Sequence, residues 1–245
     1  MNFRNYLEEM KQIQDNLEEY LIDNTDDEFK FNDLCDIFEE FAINENSHKL
    51  KSLLHLLLKI SNNQHRVPDF FLKIEKIIRL YKNDIKQFYS NYEIFTIFKN
   101  NKRLLLFLTE ENILIIDERI AKTITTGKYI DSKYPQYFLP EIKQYSDKEW
   151  YPKNELNNEI SDDFNEKRKI GENENYICEL IRKDCVEDFI IYVNKNGYSL
   201  MSQIEKSIYE TNPFLLKTNN YTLIDYASFF GSRQIFKYLI MNKVE

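Results

Sequence analysis

The sequence predicts an all-α fold on three observations. Apolar residues recur at helical spacing in one segment after another, brief polar turns separate those segments, and turn-forming residues are scarce. Only 4 Gly and 5 Pro occur among 245 residues, too little turn chemistry for many short strands. A hydrophobic content of 42% with 30% charged residues suits a folded chain rather than a disordered one.

The first helix is predicted from Phe3, Tyr6, Leu7, Met10, Ile13, Leu17, Tyr20 and Leu21, with acids between them, and it ends where Asp26 to Glu28 break the pattern. Phe31, Leu34, Cys35, Phe38, Phe41 and Ala42 mark a second helix. Leu50, Leu53, Leu54, Leu57 and Ile60 mark a third. Pro68 suits the first turn of a fourth and longest helix, where its missing N–H costs nothing, and Phe71, Leu72, Ile78, Tyr81, Ile85 and Phe88 follow at the right intervals. Short helices are expected over 91–99 and 101–108, then a longer one capped by Thr109 and stopping before Gly127. Between Lys128 and Lys169, Pro135, Pro140 and Pro152 punctuate a stretch rich in Tyr, Asp and Asn that holds Trp150, a connector packed through its aromatic rings. Periodicity resumes at Tyr176 and runs, with an interruption from Tyr198 to Asn220, to the end.

The clearest motif runs from Thr222 to Ile240 (TLIDYASFFGSRQIFKYLI) and resembles the core of an ankyrin repeat. Thr222, Ile224, Ala227, Gly231, Ile235, Phe236, Leu239 and Ile240 occupy matching positions, while Leu223 stands for the family's Pro and Asp225 for its His. Thr222 can cap the first helix, Ala227 lets two helices approach, Gly231 suits a left-handed turn, and Ile235, Phe236 and Leu239 form an inner stripe. Tyr176 to Asn194 resembles a degenerate helix pair in which Asp184 stands where a Gly is usual, with a register ambiguous by one residue. Beyond these repeats, LLLKISNNQHRVPDFFLKIEKI, SNYEIFTIFKNNKRLLLFL, KYPQYFLPEIK, RKIGENENYICELIRKD and ETNPFLLK resemble a family of protist ankyrin-repeat proteins with an uncharacterised helical N-terminal region.

That resemblance implies an N-terminal helical domain (1–127), a connector (128–172) and an ankyrin-type, α-solenoid segment (173–245) that binds a protein and catalyses nothing. The family's recognition positions fall here on Thr218, Asn219, Tyr221, Phe229 and Phe230. Because family members continue into further repeats and this sequence stops at Glu245, the resemblance also implies self-association through an uncapped C-terminal repeat.

Charge is distributed unevenly. Residues 1–45 carry 14 acidic and 3 basic side chains, a net of −11, and residues 46–103 carry 4 acidic and 12 basic, a net of +8. The second block suggests nucleic-acid or anionic-lipid binding as an alternative function, but blocks of opposite sign on helical faces are expected to meet each other within the fold. Nucleic acid is therefore not the expected partner. No apolar stretch reaches the roughly 20 residues of a transmembrane helix. The N-terminus has no apolar run of signal-peptide type. Cys35, Cys178 and Cys185 are an odd set that fits reduced thiols in a cytosol-like compartment.

Motifs that suggest chemistry have stronger structural readings. Ile113 to Glu118 (ILIIDE) looks like the metal-binding strand of a nucleotide hydrolase, but Thr126-Gly127-Lys128-Tyr129 lacks the glycines and the hydroxyl of a phosphate loop. His48, His55 and His65 have no carboxylate or Cys completing a ligand set, and Cys178 and Cys185 have no base nearby. Paired acids such as Glu8-Glu9 and Glu39-Glu40 read as solvated helix faces. Phe95 and Phe98, beside Lys99 to Arg103, fit a core stripe better than a base-stacking platform. No catalytic residue, metal ligand or cofactor site is predicted.

Overall fold

The computed structural model describes residues 3–23, 28–62, 69–127, 132–153, 156, 160–217 and 220–244. Among these residues the chain is helical and contains no strand; one isolated antiparallel bridge joins Gln203 to Thr222. The chain divides into two compact units, Met1–Ile115 and Ile116–Glu245.

The first unit comprises α1 (Phe3–Ile22), α2 (Glu28–Glu40), α3 (Ser47–Ser61), α4 (Phe70–Leu80), α5 (Lys82–Phe88), α6 (Asn91–Phe98) and α7 (Lys102–Glu110). Its core is drawn from the stripes read from the sequence, except that Leu7 and Leu72 are 50% and 56% exposed: α1 packs on α2, α3 and α4, and Ile13, Leu17, Leu21, Leu34, Phe38, Leu50, Leu53, Leu57 and Ile74 are buried. Each such side chain, fully buried, contributes roughly 1.5–3 kcal/mol. Polar side chains set several of the helix starts. Asn46 accepts from the His48 and Lys49 amides, Ser90 forms a capping box with Glu93, and buried Asn101 accepts from the Leu104 amide while donating to Ser61 and Asn62.

Two expectations for this region are corrected. The fourth helix is neither single nor the longest. Tyr81, with φ −99° and ψ 14°, leaves helical geometry between α4 and α5, its buried ring edge-on to Phe38 at 5.9 Å, and the 20-residue α1 is the longest described helix. Pro68 lies outside the described residues. Thr109 caps nothing: it sits inside α7 and donates to the Leu105 carbonyl. The chain then turns through Asn112 in the left-handed region, with the Ile113 and Leu114 amides both returning to the Leu108 carbonyl, and runs non-helically to Asp117.

The acidic and basic blocks do meet. Lys49 pairs with Glu9 at 2.8 Å and Lys76 with Glu28 at 2.7 Å, and buried Lys73 donates to the Tyr20 and Asp23 carbonyls at the C-terminus of α1. A cation is favourable at that end of a helix.

The second unit comprises α8 (Glu118–Thr126), α9 (Tyr134–Tyr137), α10 (Leu139–Ile142), α11 (Phe164–Ile170), α12 (Tyr176–Arg182), α13 (Val186–Asn196), α14 (Pro213–Lys217), α15 (Leu223–Phe230) and α16 (Arg233–Met241). The division between units falls one helix earlier than residue 127, since α8 packs on α9, Lys148 pairs with Glu118, and the Tyr145 hydroxyl donates to the Ile116 carbonyl. The connector packs through its rings, Tyr137 on Phe138 at 5.0 Å and Tyr145 on Trp150 at 6.0 Å. Arg168 is buried among them and donates to the Tyr137 carbonyl and both Glu141 oxygens.

Candidate functional site

From Tyr176 onward the chain forms two helical hairpins. In each, a polar side chain caps the first helix, Asn175 accepting from the Ile177 amide and Thr222 from the Asp225 amide. Asp225, which departs from the ankyrin pattern, completes a capping box by accepting from the Thr222 amide at 2.8 Å. A left-handed residue then joins the helices, Asp184 with φ 53° in the first hairpin and Gly231 with φ 55° in the second. Glycine adopts that geometry without strain, and Asp is among the few other residues that tolerate it.

The hairpins stack, α12 on α15 and α13 on α16. The buried faces repeat at a spacing of 46, Ile177, Cys178, Leu180 and Ile181 matching Leu223, Ile224, Tyr226 and Ala227, and Phe189 and Val193 matching Ile235 and Leu239. The caps and left-handed residues repeat at 47, one residue out of step with the buried faces. This is the physical origin of the one-residue ambiguity in the sequence.

Polar contacts lock the stack. Both Asp184 carboxylate oxygens accept from the Gln234 amide, at 3.1 and 3.0 Å, and one also accepts from the Ile235 amide at 3.0 Å, so the turn of the first hairpin caps α16 of the second. Ser232 donates to the Ile181 carbonyl in return. Arg182 donates to the Tyr226 hydroxyl at 2.7 Å and the Asn173 carbonyl at 3.0 Å, and pairs with Glu172 at 2.9 Å. Burial raises the Tyr226 hydroxyl well above the usual tyrosine range, so it accepts from Arg182 as a neutral phenol. The 198–220 interruption is tied down as well, by the Ile204 amide on the Tyr221 carbonyl and Asn173 on the Glu205 carbonyl.

The candidate recognition residues are distributed differently from expectation. Thr218 and Asn219 lie outside the described residues. Tyr221 is 3% exposed, stacked on Tyr226 at 5.8 Å and packed in the core, so it presents no ring to a partner. Phe229 and Phe230 are half-buried neighbours, edge to face at 5.0 Å, and point differently. Phe230 turns inward onto Tyr226 at 4.6 Å, while Phe229 stacks in parallel with Phe214 at 5.2 Å. Phe214, 59% exposed, was not among the sequence candidates. Fifteen residues and no shared helical period separate it from Phe229, and the only local sign of its placement is the Asn212-Pro213 helix start, where Asn212 accepts from the Phe214 amide. The five rings from Phe214 through Phe229, Phe230 and Tyr226 to Tyr221 form one continuous series from solvent to core. Phe236, expected on the inner stripe, is 37% exposed instead, because Ile235, Tyr238 and Leu239 are the α16 side chains that face the stack.

The motifs weighed for chemistry have structural roles. Asp117 caps α8 by accepting from the Ile120 amide at 2.9 Å, and Glu118 pairs with Lys148 at 3.2 Å. Burial pushes the Cys178 thiol up to about 12 and lowers the basicity of His55. His65 and Lys128 fall outside the described residues. Phe95 and Phe98 are buried, and the Arg103 guanidinium lies 3.8 Å from the Phe71 ring centroid. Among the described residues no three His, Cys, Asp or Glu side chains come together to hold a metal ion, and no helix is long and apolar enough to cross a membrane. No family model, curated protein or solved structure matches the chain.

Proposed function

We propose that the chain is a non-enzymatic protein-interaction module whose last 70 or so residues act as two stacked repeats of ankyrin type, presenting the aromatic pair Phe214 and Phe229 to a protein partner. The observation that carries this reading is the coupling of the hairpins: like helices pack on like, and Asp184 in the turn of one hairpin caps the second helix of the next. A unit built this way is stiff and one-dimensional, which suits it to holding side chains in fixed register for another molecule. The partner surface is the outer end of the ring series. An exposed aromatic held by a stacked neighbour loses little side-chain entropy on binding, and such rings are frequent anchors in interfaces. The three cysteines are free, in keeping with a reducing, cytosol-like compartment.

The test is affinity capture from the native cell with the whole chain as bait, compared with Phe229→Ala and Phe214→Ala variants of unchanged circular dichroism. A discrete partner retained by the original chain and reduced at least about tenfold by either variant, equivalent to about 1.4 kcal/mol, supports the reading. A partner held equally well by both variants removes the aromatic pair from it.

A further inference from the structure

The outward face of α16 combines exposed apolar side chains with unmatched positive charge. Phe236 is 37% exposed, Ile240 51% and Met241 73%. Between Arg233 and Val244 the sequence holds Arg233, Lys237 and Lys243 and no acid. The side chains of these three cations form no ion pair or hydrogen bond among the described residues. Exposed lysines without an acidic partner occur elsewhere too, Lys59 and Lys122 among them; here the cations share a helix face with three exposed apolar side chains. The matching helix of the preceding hairpin, α13, has the opposite arrangement, with Glu187 and Asp188 in its first turn and Lys195 in its last, each sign at the end of the helix that favours it. In α16 the first turn carries Arg233 instead, a cation at the end that disfavours it, and the Asp184 carboxylate there serves the amides of the turn.

We propose that this face of α16 is a second docking surface, for an acidic amphipathic helix of a partner protein. At 3.6 residues per turn the solvent side of α16 reads, around its circumference, Phe236, Ile240, Arg233, Lys237, Met241. The two cations stand in the middle of the stripe with apolar side chains on both sides. Seating this face in a lipid surface would bury the guanidinium and the ammonium along with the apolar groups, whereas membrane-surface helices keep their cations on the opposite, polar side. A helix with Leu-type residues three and four apart and carboxylates between them covers Phe236 and Ile240 while placing an acid opposite each cation. The surface does not involve Phe214 or Phe229, and so stands or falls separately from the aromatic pair.

The probe is a fluorescein-labelled peptide of about 18 residues, long enough to be helical, with Leu at the helical repeat and Glu at the flanking positions, set beside an analogue with Gln for every Glu. Fluorescence anisotropy is followed with the whole chain, with a double variant Arg233→Glu, Lys237→Glu, and with Phe229→Ala. The acidic peptide is expected to bind at least about tenfold more tightly than the Gln analogue, to lose that preference in the double variant, to weaken as salt rises, and to be indifferent to Phe229→Ala. Equal binding of the two peptides, or a preference that survives the charge reversals, overturns the proposal. So does attachment of the chain to phosphatidylserine vesicles that the double variant abolishes while peptide binding stays weak.

Discussion

Glu75 on α4 is half-buried beside Arg79, 3.7 Å away, and within the field of Arg103, yet its carboxyl is raised above its ordinary value: burial, helped by the charges of Glu110 and Glu111, disfavours the charge more strongly than the two guanidinium groups favour it. A carboxyl raised in the folded state lends stability that is complete below the unfolded value of 4.5 and lost as pH rises through the folded one. At neutral pH the ionised Glu75 therefore works against folding. Glu75→Gln is predicted to unfold at higher urea than the parent at pH 7, with the difference closing near pH 4; a parent that remains the more stable at pH 7 contradicts this. Nothing in the sequence distinguishes Glu75 from other helix-face acids, because its burial depends on helices that arrive later in the chain. The same limit applies to the ring series. Phe229 and Phe230 are adjacent, so the helical period requires them to point differently, but only the fold shows that Phe230 faces Tyr226 and Phe229 faces Phe214.

Helices were legible where the apolar stripe was strong, as from Leu50 to Ile60, and the cap expected at Thr222 is present, whereas the caps at Asn46 and Ser90 were not read from the sequence. The interruptions of the helices were not legible. The break at Tyr81 leaves the apolar spacing intact on both sides, and the run from Ile113 to Asp117 keeps an apolar spacing that reads as helix although Ile113, Leu114 and Ile116 are buried from a non-helical stretch. The hairpin turns were half legible. A left-handed residue at Asp184 follows from its alignment with Gly231, but the reason for an Asp appears only in the stack, where the side chain caps α16. Two substitutions separate these roles. Asp184→Gly relieves the backbone and removes the cap, whereas Asp184→Asn keeps both the tolerance for that backbone and an oxygen for the amides. Urea unfolding should show Asp184→Gly destabilised by about 1 kcal/mol and Asp184→Asn by less. Hydrogen exchange at Gln234 and Ile235 should accelerate in the Gly variant first. If Asp184→Gly is the more stable of the two, the turn conformation matters and the cap does not.

Over the molecule as a whole, the opposed charge blocks and the scarcity of turn residues anticipated an all-helical chain whose acidic and basic segments meet, and Lys49 with Glu9, Lys76 with Glu28 and Lys73 on the end of α1 are where they do. The basic segment 46–103 thereby has much of its charge engaged internally, while the cations of α16 remain outward with apolar neighbours. The proposed function requires a protein partner to rest on the Phe214 and Phe229 pair. The most direct measurement places a photoreactive benzoylphenylalanine at position 229 in the otherwise intact chain, expressed in the native cell, with the same residue at exposed position 122 of α8 as the comparison. After irradiation a discrete cross-linked protein is expected at 229 and none of that mass at 122. Irradiation that yields no adduct at 229 above the level at 122 contradicts it.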